Sequence, residues 1–401
     1  MSRGRYALLA VLLGLLPMLL PLSVDASVPL LPAVAAHFST DTAWVQFSLS
    51  AVVMGIAVGQ LIYGPLSDRF GRKPIILIGI AAYAAVAIAC TNAAEIEVLI
   101  ALRFLQGFFA CSGVIVARAV IRDLFDREAG ARLFALMMGI HGLMPTIAPG
   151  VSGWLNDTFG WQAVFWAMAG FAVFAGLAVS FGLAETNARS ERRSIHPRTV
   201  LVNYRHVMRE PSFLRYAICG SFMYGALMAY FAGAPVGLIQ YLGLSPGQFG
   251  IAMAIPMISY MVAQIAVARI AHLIGIDGLI RTGSVLATIA GIGMIVFVLT
   301  DNITVYTLMG PVVLLLVSLS FITPGTTAGA MSPFPHISGA ASSLLGFVQF
   351  LVAAAATAAI GLLNDGTPFP MAVMICACTV LTLITYRVFV YPIRHLERTP
   401  D

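Results

Sequence analysis

Charge is scarce in this chain. Only 10% of its 401 residues are Asp, Glu, Lys or Arg, while 60% are hydrophobic; soluble domains carry roughly 25% charged residues. That shortage excludes a soluble globular protein and leaves a polytopic membrane protein. Cysteine is equally sparing. Cys90, Cys111, Cys219, Cys376 and Cys378 all lie in apolar segments, away from the loops where a disulfide framework or zinc site is expected. Cys376 and Cys378 are two apart on a predicted helix and point to different faces, so all five read as packing residues. No Gly-x-x-x-x-Gly-Lys loop is present, and Gly291-Ile292-Gly293 is too short and apolar for a nucleotide fingerprint. No cofactor is therefore expected, and the energy for any work must come from an ion gradient or from the substrate's own. An enzyme should gather His, Asp, Glu or Ser at a membrane face, and a sensor should append a soluble domain. Neither pattern is visible.

A helix needs about 20 apolar residues to cross the hydrocarbon core. Twelve stretches qualify, at 6–36, 43–64, 74–92, 98–122, 132–155, 162–184, 213–241, 247–271, 278–300, 303–330, 337–363 and 368–391. The first follows Arg3 and Arg5 as a secretory signal would, but apolar sequence runs on to Ala36 with no polar mature domain behind it. It reads as a retained span. The net charge of +5 does not point to nucleic acid, because the basic residues are spread over short loops. They alternate with the loops as the positive-inside rule requires. Arg69, Arg72 and Lys73 follow span two; Arg122, Arg127 and Arg132 surround the turn after span four; Arg269 and Arg281 flank the turn after span eight. The loops at 37–42, 93–97, 156–161, 242–246, 301–302 and 364–367 hold no Lys or Arg. Both termini are therefore expected in the cytoplasm. The turn from Met331 to His336 has no Lys or Arg and gives the rule no support.

The longest polar stretch, with Arg189, Arg192, Arg193, Arg198, Arg205 and Arg209, separates two groups of six spans. The expected organisation is an N-terminal six-helix half at 1–184, a cytoplasmic linker at 185–212 and a C-terminal six-helix half at 213–401. After span two comes Gly64-Pro65-Leu66-Ser67-Asp68-Arg69-Phe70-Gly71-Arg72-Lys73, read as a charge-dense turn. Its glycines permit close approach, Asp68 can pair or cap at the membrane edge, and the basic residues hold one side. This run resembles the Gly-x-Leu-x-Asp-Arg-x-Gly-Arg-Lys signature of major facilitator superfamily transporters. The resemblance implies an all-α membrane fold of twelve helices in two halves, with substrate bound near the midplane between them. It also implies gating roles for Gly64, Asp68, Arg69, Gly71 and Arg72, with Asp68 as a latch between moving halves; a loop that only fixes topology is the alternative. Arg269-Ile270-Ala271-His272-Leu273-Ile274-Gly275 is a worn second copy without the acid. Gly55 and Gly59 form a small-xxx-small face.

Ionisable groups within the bilayer are costly and point to function. Of the 17 acidic residues, all but Asp25 fall in loops, at span ends, in the linker or in the tails. Burial among apolar groups disfavours the charged form of a carboxylate, which suits Asp25 to load and release a proton. The alternative is a carboxyl that bonds backbone groups freed where Pro21 and Pro29 interrupt the helix. Arg103 lies in Arg103-Phe104-Leu105-Gln106-Gly107, which resembles the superfamily's Arg-x-x-Gln-Gly motif. An arginine there is implied to face the cavity and take part in proton coupling, by biasing a neighbour such as Asp25 or holding a polar substrate group. A structural arginine on helix carbonyls is the other reading. Arg118 is expected to join Arg122 and Asp123 in a surface network. Pro145, Ala148, Pro149, Ser152, Gly153 and Trp154 resemble the antiporter motif Gly-Pro-x-x-Gly-Gly, with Ala148 and Ser152 in place of glycines. Pro149 and Gly153 would form a bending seal. His141 on the same helix is either coupled to transport or a hydrogen-bonded packing residue.

Asp25-x-x-x-Pro29-x-x-Pro32 is similar to the first helix of the bicyclomycin and chloramphenicol resistance (Bcr/CflA) family of drug:proton antiporters. Gln60 to Arg69, and Pro333-Phe334-Pro335-His336-Ile337-Ser338-Gly339-Ala340-Ala341-Ser342 followed by Gln349, agree with it. The family usually has Tyr two residues after the acid, where this chain has Ser27. The expected cavity is apolar with a few polar handles, among them Gln46, Gln60, Gln106, Tyr224, Tyr230, Gln240 and Gln349, which fits amphipathic molecules better than sugars. Gln46, Gln106, Tyr224, Tyr230 and Gln349 are the substrate-binding candidates. The function so implied is proton-driven export of small amphipathic compounds by a monomer in a bacterial inner membrane, with protons, substrate and lipid as partners. A proton symporter or uniporter for a small metabolite is the alternative.

Overall fold

A computed structural model describes residues 3–125, 127–187, 197–334 and 336–390. Arg189, Arg192, Arg193 and Pro335, together with the rest of 188–196 in the expected linker, lie outside them. The chain divides into two compact units, Met1–Leu201 and Val202–Asp401. The described residues contain no strand.

In the first unit the opening apolar stretch is not one rod. It is laid out as α1 (Arg3–Leu15), α2 (Leu19–Asp25), a 3-10 turn (Val28–Leu30) and α3 (Leu31–His37). Prolines cause the breaks, since each removes a donor from the helical ladder. Pro21 cannot serve the Pro17 carbonyl four residues back, which instead accepts from the Leu20 N–H at 3.2 Å and meets His141 Nδ1 at 3.2 Å. Then follow α4 (Thr42–Phe70), capped by the Asp41 side chain, α5 (Arg72–Thr91), α6 (Ile96–Leu124), α7 (Arg127–His141), α8 (Leu143–Phe159) and α9 (Trp161–Gly182). The α4 and α6 helices cross at backbone contact. A Cβ on Gly55 would collide with the Phe104 carbonyl, and one on Gly107 with the Val52 carbonyl.

Two expectations are corrected here. Span two does not end at 64, and Gly64–Lys73 is not a ten-residue turn. Helix α4 continues through Pro65 to Phe70, and Gly71 alone reverses the chain at φ 103°, a backbone region open to glycine at little cost. An i,i+4 pair of Asp68 and Arg72 reaches across that residue. In span five Pro149 lies inside a continuous α8. Between α7 and α8 the helical assignment is interrupted at Gly142, just ahead of Pro145, whose missing N–H leaves the His141 carbonyl unserved by the ladder.

The second unit holds α11 (Pro211–Ala234), continued by a π-helical turn (Pro235–Tyr241), and α12 (Pro246–Leu299), opened by a Ser245–Gln248 capping box. Next are α13 (Val305–Met331), α14 (Ser338–Leu362) and α15 (Phe369–Thr385), the last ending in a π-helical turn (Tyr386–Val390). Between α9 and α11 lies α10 (Pro197–Arg209). Among the described residues 11 helical stretches are long and apolar enough to cross a membrane. The longest, Gly247–Leu299, is broken at Gly275 (φ 65°, ψ 178°) into two arms, which makes twelve spans.

Backbone reversals repeat along the chain. Positive φ occurs at Ser39 and Gly71 in the first unit and at Gly243 and Gly275 in the second. Ser39 is as far from Gly243 as Gly71 is from Gly275. The worn second copy of the loop signature has lost its acid but retains the residue that makes the turn.

Candidate functional site

At the break in the first span a cluster of buried polar groups collects, Ser23, Asp25, Ser27, Arg103 and Gln106 among them. Arg103, on α6, is 1% exposed. Its Nη2 donates to the Ser23 carbonyl at 2.6 Å and to the Ser27 hydroxyl at 2.7 Å, and its Nη1 donates to Gln106 Oε1. The Phe165 ring lies under the guanidinium at 5.5 Å. Gln106 is turned toward Arg103 by its own spacing, one turn along α6, and its amide meets Met168 Sδ at 3.4 Å. Ser23 Oγ donates to the Leu19 carbonyl at 2.6 Å and lies 2.9 Å from the Tyr83 hydroxyl. Ser27 Oγ lies 2.8 Å from the Val24 carbonyl and 3.0 Å from the Ser23 carbonyl. The guanidinium thus sits on carbonyls near the C-terminal end of α2, where the helix dipole favours a cation.

Asp25 closes α2 and is 3% exposed. Among the described residues its side chain forms no ion pair and no hydrogen bond; the nearby Leu19 and Ser23 carbonyls are met by Ser23, Ser27 and Arg103. Arg103 and Asp25 are not in contact as an ion pair, so a direct bias of one by the other is absent from this arrangement. The guanidinium donates instead to Ser23, Ser27 and Gln106. Tyr83, Ser23, Phe165 and Met168 were not foreseen as members of this cluster. The only sequence signal for them is their apolar setting, which a polar serine or tyrosine interrupts.

At the α4–α5 junction Asp68 pairs with Arg72 at 2.5 Å, and Arg72 Nε pairs with Asp123 at 2.9 Å and its Nη1 donates to Ser67 Oγ at 2.8 Å. Arg69 is exposed and stacks over Phe70 at 5.1 Å. A strap follows α9. The Glu185 carboxylate accepts the backbone N–H groups of Arg72 at 2.9 Å, Lys73 at 3.2 Å, Thr186 at 3.0 Å and Asn187 at 2.9 Å. Burial opposes its ionisation, but those four donors together hold the carboxyl below the usual glutamate range. Asn187 in turn donates to the Asp68 carbonyl at 2.9 Å. Of the expected Arg118, Arg122 and Asp123 network, the Asp123 ion pair among the described residues runs to another arginine. Asp123 turns to Arg72, and Arg118 lies half-buried over the Phe134 ring at 6.0 Å, because an aromatic face on α7 stands nearer than solvent.

Pro149 and Gly153 are buried on α8, which packs against α2 and the 3-10 turn. Gln46 is buried on α4, as is Gln60, whose Oε1 accepts no hydrogen bond among the described residues. In the second unit Tyr224 on α11 meets Phe350 on α14 edge-on at 5.8 Å, next to the buried Gln349. The Tyr230 hydroxyl is 2.8 Å from Met253 Sδ, which ties it to α12.

Long apolar helices in two compact units, the first with a broken opening helix and a buried guanidinium, are those of a polytopic membrane protein. The model of the Major Facilitator Superfamily matches residues 13–357, and the chain belongs to that superfamily; it is a transporter and not an enzyme. It is 27% identical over 380 residues to the bicyclomycin resistance protein homolog of Haemophilus influenzae, covering 93% of this chain and 94% of the relative. It is 26% identical over 343 residues to the multidrug resistance protein MdtL of Klebsiella pneumoniae, covering 83% of each. Among solved structures, the xylose transporter XylE of E. coli matches with a TM-score of 0.76 over 96% of this chain and 98% of that one. Its 11% identity speaks for the fold alone.

Proposed function

We propose that this transporter exports small amphipathic compounds across a bacterial inner membrane in exchange for protons, as a monomer with both termini cytoplasmic. The observation that carries the proposal is Asp25, a buried carboxyl at a helix break with no ion pair and no hydrogen bond among the described residues. A carboxyl so placed is cheap to bury only when protonated, so each proton gained or lost changes the stability of its surroundings. Arg103, on α6, holds a positive charge against the same broken helix through Ser23 and Ser27. Gln46, Gln106, Tyr224, Tyr230 and Gln349 would provide polar handles in an otherwise apolar route. The names of the similar proteins, bicyclomycin resistance and multidrug resistance, support efflux as the direction.

In this reading the halves at 1–184 and 213–401, joined by 185–212, alternate around a midplane site. Gly64, Asp68, Arg69, Gly71 and Arg72 belong to the gate, and Pro149 and Gly153 to a seal against the first helix. The test is vesicles reconstituted with wild type or Asp25→Asn, with a pH gradient imposed and amphipathic drugs added. Drug-driven proton movement opposite to drug flow is expected in wild type and lost in the variant. A folded Asp25→Asn protein that still pumps against a gradient overturns the proposal. Flux without proton movement in wild type points to a uniporter.

A further inference from the structure

Helix α10 carries a feature that transport does not require. Arg198, Arg205 and Arg209 stand at positions i, i+7 and i+11, one face of an α-helix. All three are exposed, and none forms an ion pair among the described residues. Apolar side chains border the stripe: Leu201 is 68% exposed, Val202 63% and Met208 42%. The helix is held from its other side, where Val207 is fully buried, and His206 meets Phe334 edge-on at 5.9 Å. Three arginines interleaved with exposed leucine, valine and methionine match an interface that is anionic at one depth and apolar just below.

Chain continuity brings that interface to the helix. Arg209 is followed by Glu210, whose carboxylate caps the start of α11 by accepting the Ser212 N–H at 3.5 Å, and then by the span Pro211–Tyr241. The C-terminal end of α10 is therefore at the level where a membrane span leaves the bilayer. Glu210, the acid next to Arg209, is occupied by capping.

We propose that α10 lies in the interfacial layer of the membrane, with Arg198, Arg205 and Arg209 bound to anionic phospholipid headgroups and Leu201, Val202 and Met208 dipped among the upper acyl segments. Arginine stems lie along apolar surface while the guanidinium groups reach phosphate, and each basic residue near an anionic surface adds to the attraction. The inference does not depend on the substrate or the direction of transport.

Hydrogen exchange of the α10 amides decides it. The full chain is placed in nanodiscs of phosphatidylcholine alone or with about one-third phosphatidylglycerol, as wild type and as Arg198→Gln/Arg205→Gln/Arg209→Gln. Exchange across 197–209 is expected to be at least about tenfold slower in the anionic discs, to lose that difference in the variant, and to lose it in wild type near 1 M salt. Equal exchange of the wild type in both compositions overturns the proposal, and so does a difference that survives in a variant whose α11–α15 exchange is normal. Protection by inorganic phosphate added to phosphatidylcholine discs, matching that of the anionic lipid, assigns the stripe to free phosphate and also overturns it. If the variant does not fold, the wild-type comparison between compositions stands as the test.

Discussion

Arg103 and Ser27 are joined by a 2.7 Å hydrogen bond that runs from α6 to the gap between α2 and the 3-10 turn. The same nitrogen reaches the Ser23 carbonyl, so one guanidinium closes both sides of a proline-made break. The usual Bcr/CflA residue at this position is Tyr. A serine here is short enough to bond the arginine and its own helix carbonyls together.

A lysine at 103 keeps the charge but has no planar fork to serve Ser23, Ser27 and Gln106 at once. Arg103→Lys is expected to cost about 2 kcal/mol or more, and Ser27→Ala about 1 kcal/mol, by the worth of hydrogen bonds to a charged group. Thermal unfolding in detergent measures both. A lysine variant as stable as wild type would mean that the clamp on the broken helix contributes little.

The spans were legible because each needs a run of apolar residues of membrane length, and that demand leaves its mark in composition. The broken first helix was legible at Pro21 and Pro29 for the same reason: a missing donor is a local fact. The extent of α4 was not. Charged residues from Asp68 to Lys73 look like a loop by composition, yet the Asp68–Arg72 pair and the capping of Asp68's carbonyl by Asn187 keep the helix going to Phe70. The partner that decides this lies more than a hundred residues away. Arg103 and Gln106 were readable as a motif, but Tyr83, Phe165 and Met168 were not, since their part depends on which faces of α5 and α9 meet α6.

Ser39 holds φ 49° where the matching reversal in the second unit has Gly243. A left-handed backbone costs a non-glycine residue roughly 1–2 kcal/mol, and glycine gives back about 0.5–1 kcal/mol through its freer unfolded chain. Ser39→Gly is therefore expected to stabilise the protein by about 0.5 kcal/mol, read as a small rise in melting temperature. Ser39→Val, with a branched Cβ in the same region, should lower it. A fall for the glycine variant would show that the serine side chain contributes more than its backbone costs.

Glu185 ties the end of the first six spans back to the start of α5, and its carboxyl is held below the usual range by the N–H groups of Asn187, Arg72, Lys73 and Thr186 against the opposing effect of burial. A depressed carboxylate contributes stability that is present above its unfolded value of 4.5 and lost as pH falls through its folded value. Glu185→Gln removes the charge but leaves one amide oxygen to accept, so at pH 7 it should cost about 1 kcal/mol, as for loss of a helix cap. The gap between variant and wild type should narrow as the pH is lowered from about 6 to below 4, because the wild-type carboxyl becomes neutral like the amide. Melting curves of both proteins across that range measure it. A gap that stays constant with pH would mean that Glu185 acts through shape and not through charge, and that the strap on Arg72 and Lys73 is held by Asn187 instead.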